Sequence, residues 1–268
     1  MSRIVLTGGR GAVAASFGEA LGRAGHEALA LGSRDLDVTD AAAVRETMRG
    51  LAPQVVIDCA MSQDLDEVPI GAQNVAAAAA AARAFIVYLS CADVFDGTQG
   101  PYVESDTPSP ASDLGAAKLA AEQAVARATL NHAIVRTSWL YGPGRDDPVS
   151  AVLDESHDPV VADATVTASP TYLPHLADVV AALVSRPVHG VLHRAGRGGC
   201  TEVEFLRAAL RSAAASGHRV TGEIGVNDAL RDRTLASVRS EVHALPDWRL
   251  GLQAHLKTRV SRSCLRDR

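Results

Sequence analysis

Five short strand-forming runs alternate with helix-length stretches through the first half of the chain, and this rhythm constrains the fold more than any other feature. The runs are RIVLTG (3–8), EALAL (27–31), VVIDCA (55–60), FIVYLS (85–90) and HAIVRTSW (132–139). The stretches between them, near 12–24, 40–51, 68–83 and 113–129, are rich in alanine and read as helices. Strand, helix, strand repeated in this way predicts an α/β fold, a doubly wound parallel sheet with helices on both faces. The strand centres are apolar without a polar alternation, as expected of strands buried on both sides. The alanine run at 76–82 reads as a closely packing helix.

After residue 143 the rhythm loosens. GPGRDDP (142–148) is a loop, the segment 160–184 reads as a short strand, a turn and a helix, and GVLHRAG (190–196) is another strand. The next helix begins at Thr201, with Glu204 three residues on, the spacing of a capping box. The expected division is a dinucleotide-binding domain over 1–145 and a smaller substrate-binding lobe over 146–268. That lobe is interleaved with the sheet and covers its carboxyl edge, where ligands of α/β proteins bind.

The sharpest local motif is LTGGRGAVA (6–14), where Gly8, Gly9 and Gly11 lie between the first strand and the first helix. Gly9-x-Gly11-x-x-Ala14 and Gly8-x-x-Gly11-x-x-Ala14 both fit a dinucleotide fingerprint. Side chains at the glycines would block the backbone from a pyrophosphate at the helix N-terminus. Gly8, Gly9, Arg10, Gly11, Ala12 and Val13 are therefore the expected phosphate cradle. An NAD site needs a carboxylate at the tip of the second strand; here the tip is Gly32-Ser33-Arg34, a small pocket with a cation suited to a 2′-phosphate. The expected cofactor is NADP rather than NAD, with Arg34 as its 2′-phosphate ligand.

Composition narrows the class. The 268 residues are 47% apolar and 21% charged with a net charge of −5, and the basic residues cluster only in the tail (Lys257, Arg259, Arg262, Arg266, Arg268). Nucleic acid is not an expected partner, and the tail is expected to fray in solvent. Cys59, Cys91, Cys200 and Cys264 form no C-x-x-C pair, which suggests a reducing compartment. The nine histidines show no ligand spacing, so no metal is expected. The longest apolar stretch, around 75–89, is interrupted by Arg83, and no charged leader precedes Ile4. A soluble cytoplasmic protein with no membrane contact is the expectation.

Several stretches together resemble one family: DLDVTD, VVIDCA, LSCADVFDGTQGPYVESDTPSP, GAAKLAAEQAV, VRTSWLYGPG, SPTYLPHLADVV and LPDWRLGLQAHL. The chain is similar to the extended short-chain dehydrogenase/reductases with a Rossmann-type sheet, and within them to the dTDP-4-dehydrorhamnose reductase branch. The resemblance implies that Asp37 and Val38 lie beside the adenine and that Cys59 and Ala60 line the cofactor. It places Ser90 and Cys91 against the nicotinamide and Lys118 on the nicotinamide ribose. Trp139 would face the nucleotide part of a sugar substrate, with Ser169, Pro170 and Thr171 on the substrate side.

The departures bear on chemistry. The family threonine at the end of the fourth strand is Cys91, a poorer hydrogen-bond donor. The tyrosine that serves the family as proton donor is Leu114, which donates nothing. RDDPVS (145–150) replaces an asparagine-phenylalanine stretch, and the glutamine before SPTY is missing. Loss of a positioned general acid costs on the order of 10²–10⁴ in rate. Three readings follow: a reductase with a relocated donor at Asp93, Tyr141 or Tyr172; an acid–base enzyme performing epimerisation, elimination or cyclisation; and a cofactor-binding regulatory subunit of a partner enzyme. The expected catalytic residues are Asp93, Cys91 and Lys118, and the expected substrate contacts are Asp93, Trp139, Tyr141 and Thr171. The substrate would be a small molecule, a nucleotide sugar or a secondary-metabolite intermediate; a homodimer is equally open. For each residue there is a plainer role: Cys91 as a small buried residue, Asp93 as a turn cap, and the two tyrosines as packing.

Overall fold

The computed structural model describes residues 2–144, 149, 160–215, 224–225, 231–235 and 244–266. Its first half alternates strictly: β1 (Arg3–Thr7), α1 (Ala12–Arg23), β2 (Glu27–Leu31), α2 (Ala41–Leu51), β3 (Val55–Asp58), α3 (Glu67–Ala81), β4 (Phe85–Cys91), α4 (Asp113–Ala128) and β5 (His132–Thr137). The short strands β6 (Leu140–Tyr141), β7 (Val160–Val161), β8 (Val166–Ala168) and β9 (Thr171–Tyr172) follow. Then come α5 (Leu173–Ser185), β10 (Gly190–His193), β11 (Cys200–Thr201), α6 (Glu202–Ala215), β12 (Ile224–Gly225), β13 (Arg231–Asp232) and α7 (Trp248–Arg266).

Six strands form one parallel sheet in the order β10-β5-β4-β3-β1-β2. The order reverses between β1 and β3, so the loops at their carboxyl ends part there and open a crevice. Leu6, Ile57 and Val135 face one side, where Phe17 and Leu21 of α1 and Leu176 and Val180 of α5 cover them. Val5, Val56 and Ile134 face the other, under Val44 and Met48 of α2, Ala76 and Ala79 of α3, and Val125 of α4. Alanine at these α3 positions lets helix and sheet approach closely, which accounts for the alanine run. Residues 173–193 thus belong to the main sheet and its helical layer.

A third apolar cluster joins Tyr141, Tyr172, Phe205, Trp248, Leu252 and Leu256. The capping box is present: Glu204 N–H donates to Thr201 Oγ1 at 3.2 Å and Thr201 N–H to Glu204 Oε2 at 2.9 Å. The basic tail is helical as far as Arg266, as the continuation of α7, whose Trp248, Leu252 and Leu256 recur at four-residue spacing and are buried. The replacement RDDPVS lies almost wholly outside the described residues. No helix among the described residues is long and apolar enough to cross a membrane.

Candidate active site

The turn after β1 is held by close backbone contacts. Gly8 has φ +68°, and a Cβ there would lie 2.7 Å from Cys59 O. At Gly9 a Cβ would meet Ala30 C and Leu31 N at 2.7 Å, and Gly9 N–H donates to Leu31 O at 2.9 Å. These two glycines are thus required by the packing of the turn against β3 and β2. Gly11 precedes α1 without a side-chain cap, and a Cβ on it would meet only Gly8 O, at 3.3 Å. The free N–H groups of the first turn of α1 are therefore open to an anion.

A cavity of about 360 Å³ lies in front of this turn. Gly8, Arg10 and Gly11 line it from the turn, Gly32, Asp37 and Val38 from the β2 side, and Cys59 and Ala60 from the end of β3. Asp37 accepts from Thr39 N–H at 2.9 Å and Thr39 Oγ1 at 2.7 Å, and these bonds hold its carboxyl below the usual range. Arg34 is exposed and is not among the lining residues, nor are Gly9 and Ala12.

Behind the cavity lies a buried polar group. Asp58 accepts from Thr7 Oγ1 at 2.6 Å and Ala60 N–H at 3.2 Å. Burial pushes the Asp58 carboxyl up, opposed by these bonds and by the charge of Lys118. Lys118 Nζ donates to Leu89 O at 3.1 Å and, more weakly, to the Tyr88 hydroxyl at 3.4 Å, and lies 5.1 Å from the Tyr88 ring centroid. Burial pushes the Tyr88 phenol well above its ordinary range, so it is neutral.

A second cavity, of about 370 Å³, adjoins the first, and Cys59 and Met61 border both. Val13, Cys91, Leu114 and Lys118 line it on the sheet side, with Trp139 and Arg233 beyond. Leu114 is one helical turn before Lys118 and turns an apolar side chain into this space. Burial raises the Cys91 thiol to about 12, and the Cys59 thiol also to about 12. Both are neutral and unsuited to nucleophilic attack. Ser90 contributes to the wall, but its hydroxyl donates away from the cavity to Glu122, which also accepts from Arg136 Nε at 2.9 Å and Nη2 at 2.7 Å.

Asp93 lines the second cavity from the 3₁₀ turn after β4. It does not cap that turn; its Oδ1 is ion-paired with Arg233 Nη1 at 2.6 Å. Arg233 is delivered by the end of β13, where its N–H donates to Thr167 O at 2.7 Å. Trp139, at φ +29°, lines the same space. Tyr141 and Thr171 do not: both are buried, with the Tyr141 hydroxyl donating to Trp248 O at 3.1 Å and Thr171 Oγ1 to Ser169 O at 2.9 Å. Tyr172 packs beside Tyr141, 5.6 Å between ring centroids. Pairing of β6 with β9 takes these side chains inward, and Thr171 supports the site indirectly by donating its N–H to Trp139 O at 3.0 Å.

The family model described as the RmlD substrate binding domain matches residues 2–258. The chain belongs to this family. A dTDP-4-dehydrorhamnose reductase of Mycobacterium tuberculosis is 34% identical over 238 residues, covering 81% of this chain and 78% of that relative. One of Mycolicibacterium smegmatis is 33% identical, covering 81% and 71%. Among solved structures, a dTDP-4-dehydrorhamnose reductase of Bacillus anthracis in complex with NADP superposes with a TM-score of 0.85 at 25% identity, over 96% of this chain and 99% of that one.

Arg233, Asp58, Tyr88 and Met61 are among the lining residues that the sequence did not point to. Arg233 lies 140 residues from Asp93 in a segment with no recognisable pattern. Asp58 and Tyr88 sit in strands that read as plain core, although a carboxylate or a phenol in a buried strand must find a partner. Met61, half exposed at the junction of the cavities, carried no signal. Among the described residues no group of three or more His, Cys, Asp or Glu could hold a metal ion.

Proposed function

We propose that this RmlD-family chain is an NADPH-dependent reductase of a nucleotide-linked keto sugar in which Lys118, not a tyrosine, bears the transferable proton. The observation that carries the reading is the junction of two cavities at Cys59 and Met61, one beneath a glycine turn suited to phosphates and one lined by Lys118. The open first turn of α1 would hold the pyrophosphate, and Asp37 and Val38 the adenosine end. Bound NADPH supplies a hydride. Reduction of a carbonyl then needs one proton at its oxygen. Leu114 has none, the two thiols are neutral near pH 7, and Asp93 is tied to Arg233. Lys118 Nζ has three N–H groups, of which two meet Leu89 O and Tyr88, leaving one for the cavity. The neutral Tyr88 hydroxyl accepts from the ammonium and can turn to donate to the amine once the proton has left. Trp139 and Arg233, from the far wall, would hold the nucleotide and its phosphates.

Leu114 also favours a second reading, a cofactor-binding subunit of a partner enzyme. One experiment separates the two: NADPH binding is measured by fluorescence, then cofactor oxidation is followed with dTDP-4-dehydrorhamnose. The reductase reading expects binding together with turnover lowered on the order of 10²–10⁴-fold for want of the tyrosine. Binding with no oxidation of NADPH by this or related keto sugars would favour the subunit.

A further inference from the structure

We infer that Arg10, rather than Arg34, reads the 2′-phosphate of NADPH, and that Gly32 is the residue that makes room for it. The inference rests on the reading that the cofactor occupies the first cavity. Arg10 and Gly32 both line that cavity and Arg34 does not. A Cβ built on Gly32 would lie 2.7 Å from Arg10 Cγ and 3.0 Å from both Cδ and Nε, so the arginine stem crosses the bare backbone at the tip of β2. Gly32 is not among the residues of positive φ, so glycine is needed there for space and not for backbone conformation. The base of Arg10 is fixed against the same strand, since its neighbour Gly9 packs on Ala30 and Leu31.

The surroundings leave the guanidinium available. Among the described residues Arg10 forms no ion pair. The two acids near the tip are engaged: Asp35 Oδ2 accepts from Gly32 N–H at 2.9 Å, and Asp37 is bonded to Thr39. The fork of N–H donors on arginine suits a phosphate, which it can hold by paired charge-assisted bonds.

The test is a titration of NADPH, NADH, 2′,5′-ADP and 5′-AMP into the wild-type protein and the variants Arg10→Ala, Arg34→Ala, Gly32→Ala and the Arg10→Ala/Gly32→Ala pair, with a melting curve for each. Hydrogen bonds to charged groups predict that Arg10→Ala weakens NADPH and 2′,5′-ADP on the order of 10–100-fold while NADH and 5′-AMP stay within about threefold. Arg34→Ala should leave all four within about threefold. Gly32→Ala, which displaces the arginine without removing it, should lose affinity for the 2′-phosphate ligands selectively, and the pair should be no worse than Arg10→Ala alone. The inference falls if Arg10→Ala weakens NADPH and NADH equally, if Gly32→Ala keeps the preference, or if Arg34→Ala erases it. A wild-type protein that binds none of the four ligands would refute the cofactor reading of the cavity itself, and this inference with it.

Discussion

Removing the Glu122 carboxylate tests how the site is held in place. Glu122 and Arg136 have side chains only 4% exposed, and the carboxylate accepts from Ser90 Oγ and from Nε and Nη2 of Arg136. The pair therefore ties α4 to β4 and β5. Glu122→Ala leaves the guanidinium buried against the Phe95 ring, 5.1 Å from its centroid, without its counter-ion. Breaking a buried pair from one side costs about 3–5 kcal/mol. At about 2–4 °C per kcal/mol for a chain near this size, the melting temperature should fall by about 6–20 °C. Replacing both partners, as Glu122→Gln with Arg136→Met, removes the stranded charge and should recover most of that loss. Glu122 is one turn beyond Lys118, so the single variant should also weaken NADPH binding. Denaturant unfolding of the three proteins, with cofactor titration, measures both effects. A loss below about 1 kcal/mol for Glu122→Ala, or a double variant no more stable than Glu122→Ala, would refute the reasoning.

Leu114→Tyr should restore a phenol one turn before Lys118 and raise reduction of dTDP-4-dehydrorhamnose on the order of 10²-fold, measured as NADPH oxidation; an unchanged rate would show that the missing tyrosine is not what limits the site. Asp58→Asn tests the buried carboxylate. Because burial raises its pKa, the folded state keeps a proton that the unfolded chain releases, and stability falls as pH rises from the ordinary carboxylate range through the raised value. The asparagine oxygen can still accept from Thr7 and Ala60, so the variant should have the higher urea midpoint at neutral pH and match the wild type in acid; a lower midpoint at neutral pH would contradict this. Gly115→Ala should destabilise by about 1–3 kcal/mol and lower turnover, since its Cβ would lie 2.0 Å from Asp93 O and force α4 away from the end of β4. A melting temperature unchanged by this substitution would mean that the contact is relieved at no cost.

The layout of the sheet was legible because its signals are local. Strand runs and helical stretches at 3–8, 12–24, 27–31 and onwards carry their own periodicity, and Thr201 with Glu204 caps α6 through a three-residue spacing. The glycine turn was legible for the same reason. The occupants of the two cavities were less so. Whether Arg10 or Arg34 faces the first cavity depends on side-chain direction and on the room above Gly32, neither of which a linear pattern encodes. Tyr141 and Thr171 lie in the right loops but are turned inward by the pairing of β6 with β9, a contact between segments thirty residues apart. Arg233 meets Asp93 only through the folding of the second half onto the first.

The place of β10 sets an order of events during synthesis. All six residues of β5 are buried, and one of its edges is covered by β10, which begins fifty-three positions after β5 ends. Until Gly190 to His193 arrive, that edge presents unpaired N–H and C=O groups beside apolar side chains, a template for wrong pairing. At about 5–20 residues per second the gap lasts about 3–10 seconds on the ribosome. A fragment ending before Gly190 would keep the glycine turn and five strands of the sheet, yet it would carry this open edge permanently. Such a fragment is expected to aggregate or pair with itself, so the half that carries the glycine turn depends on a strand from the second half to remain dispersed.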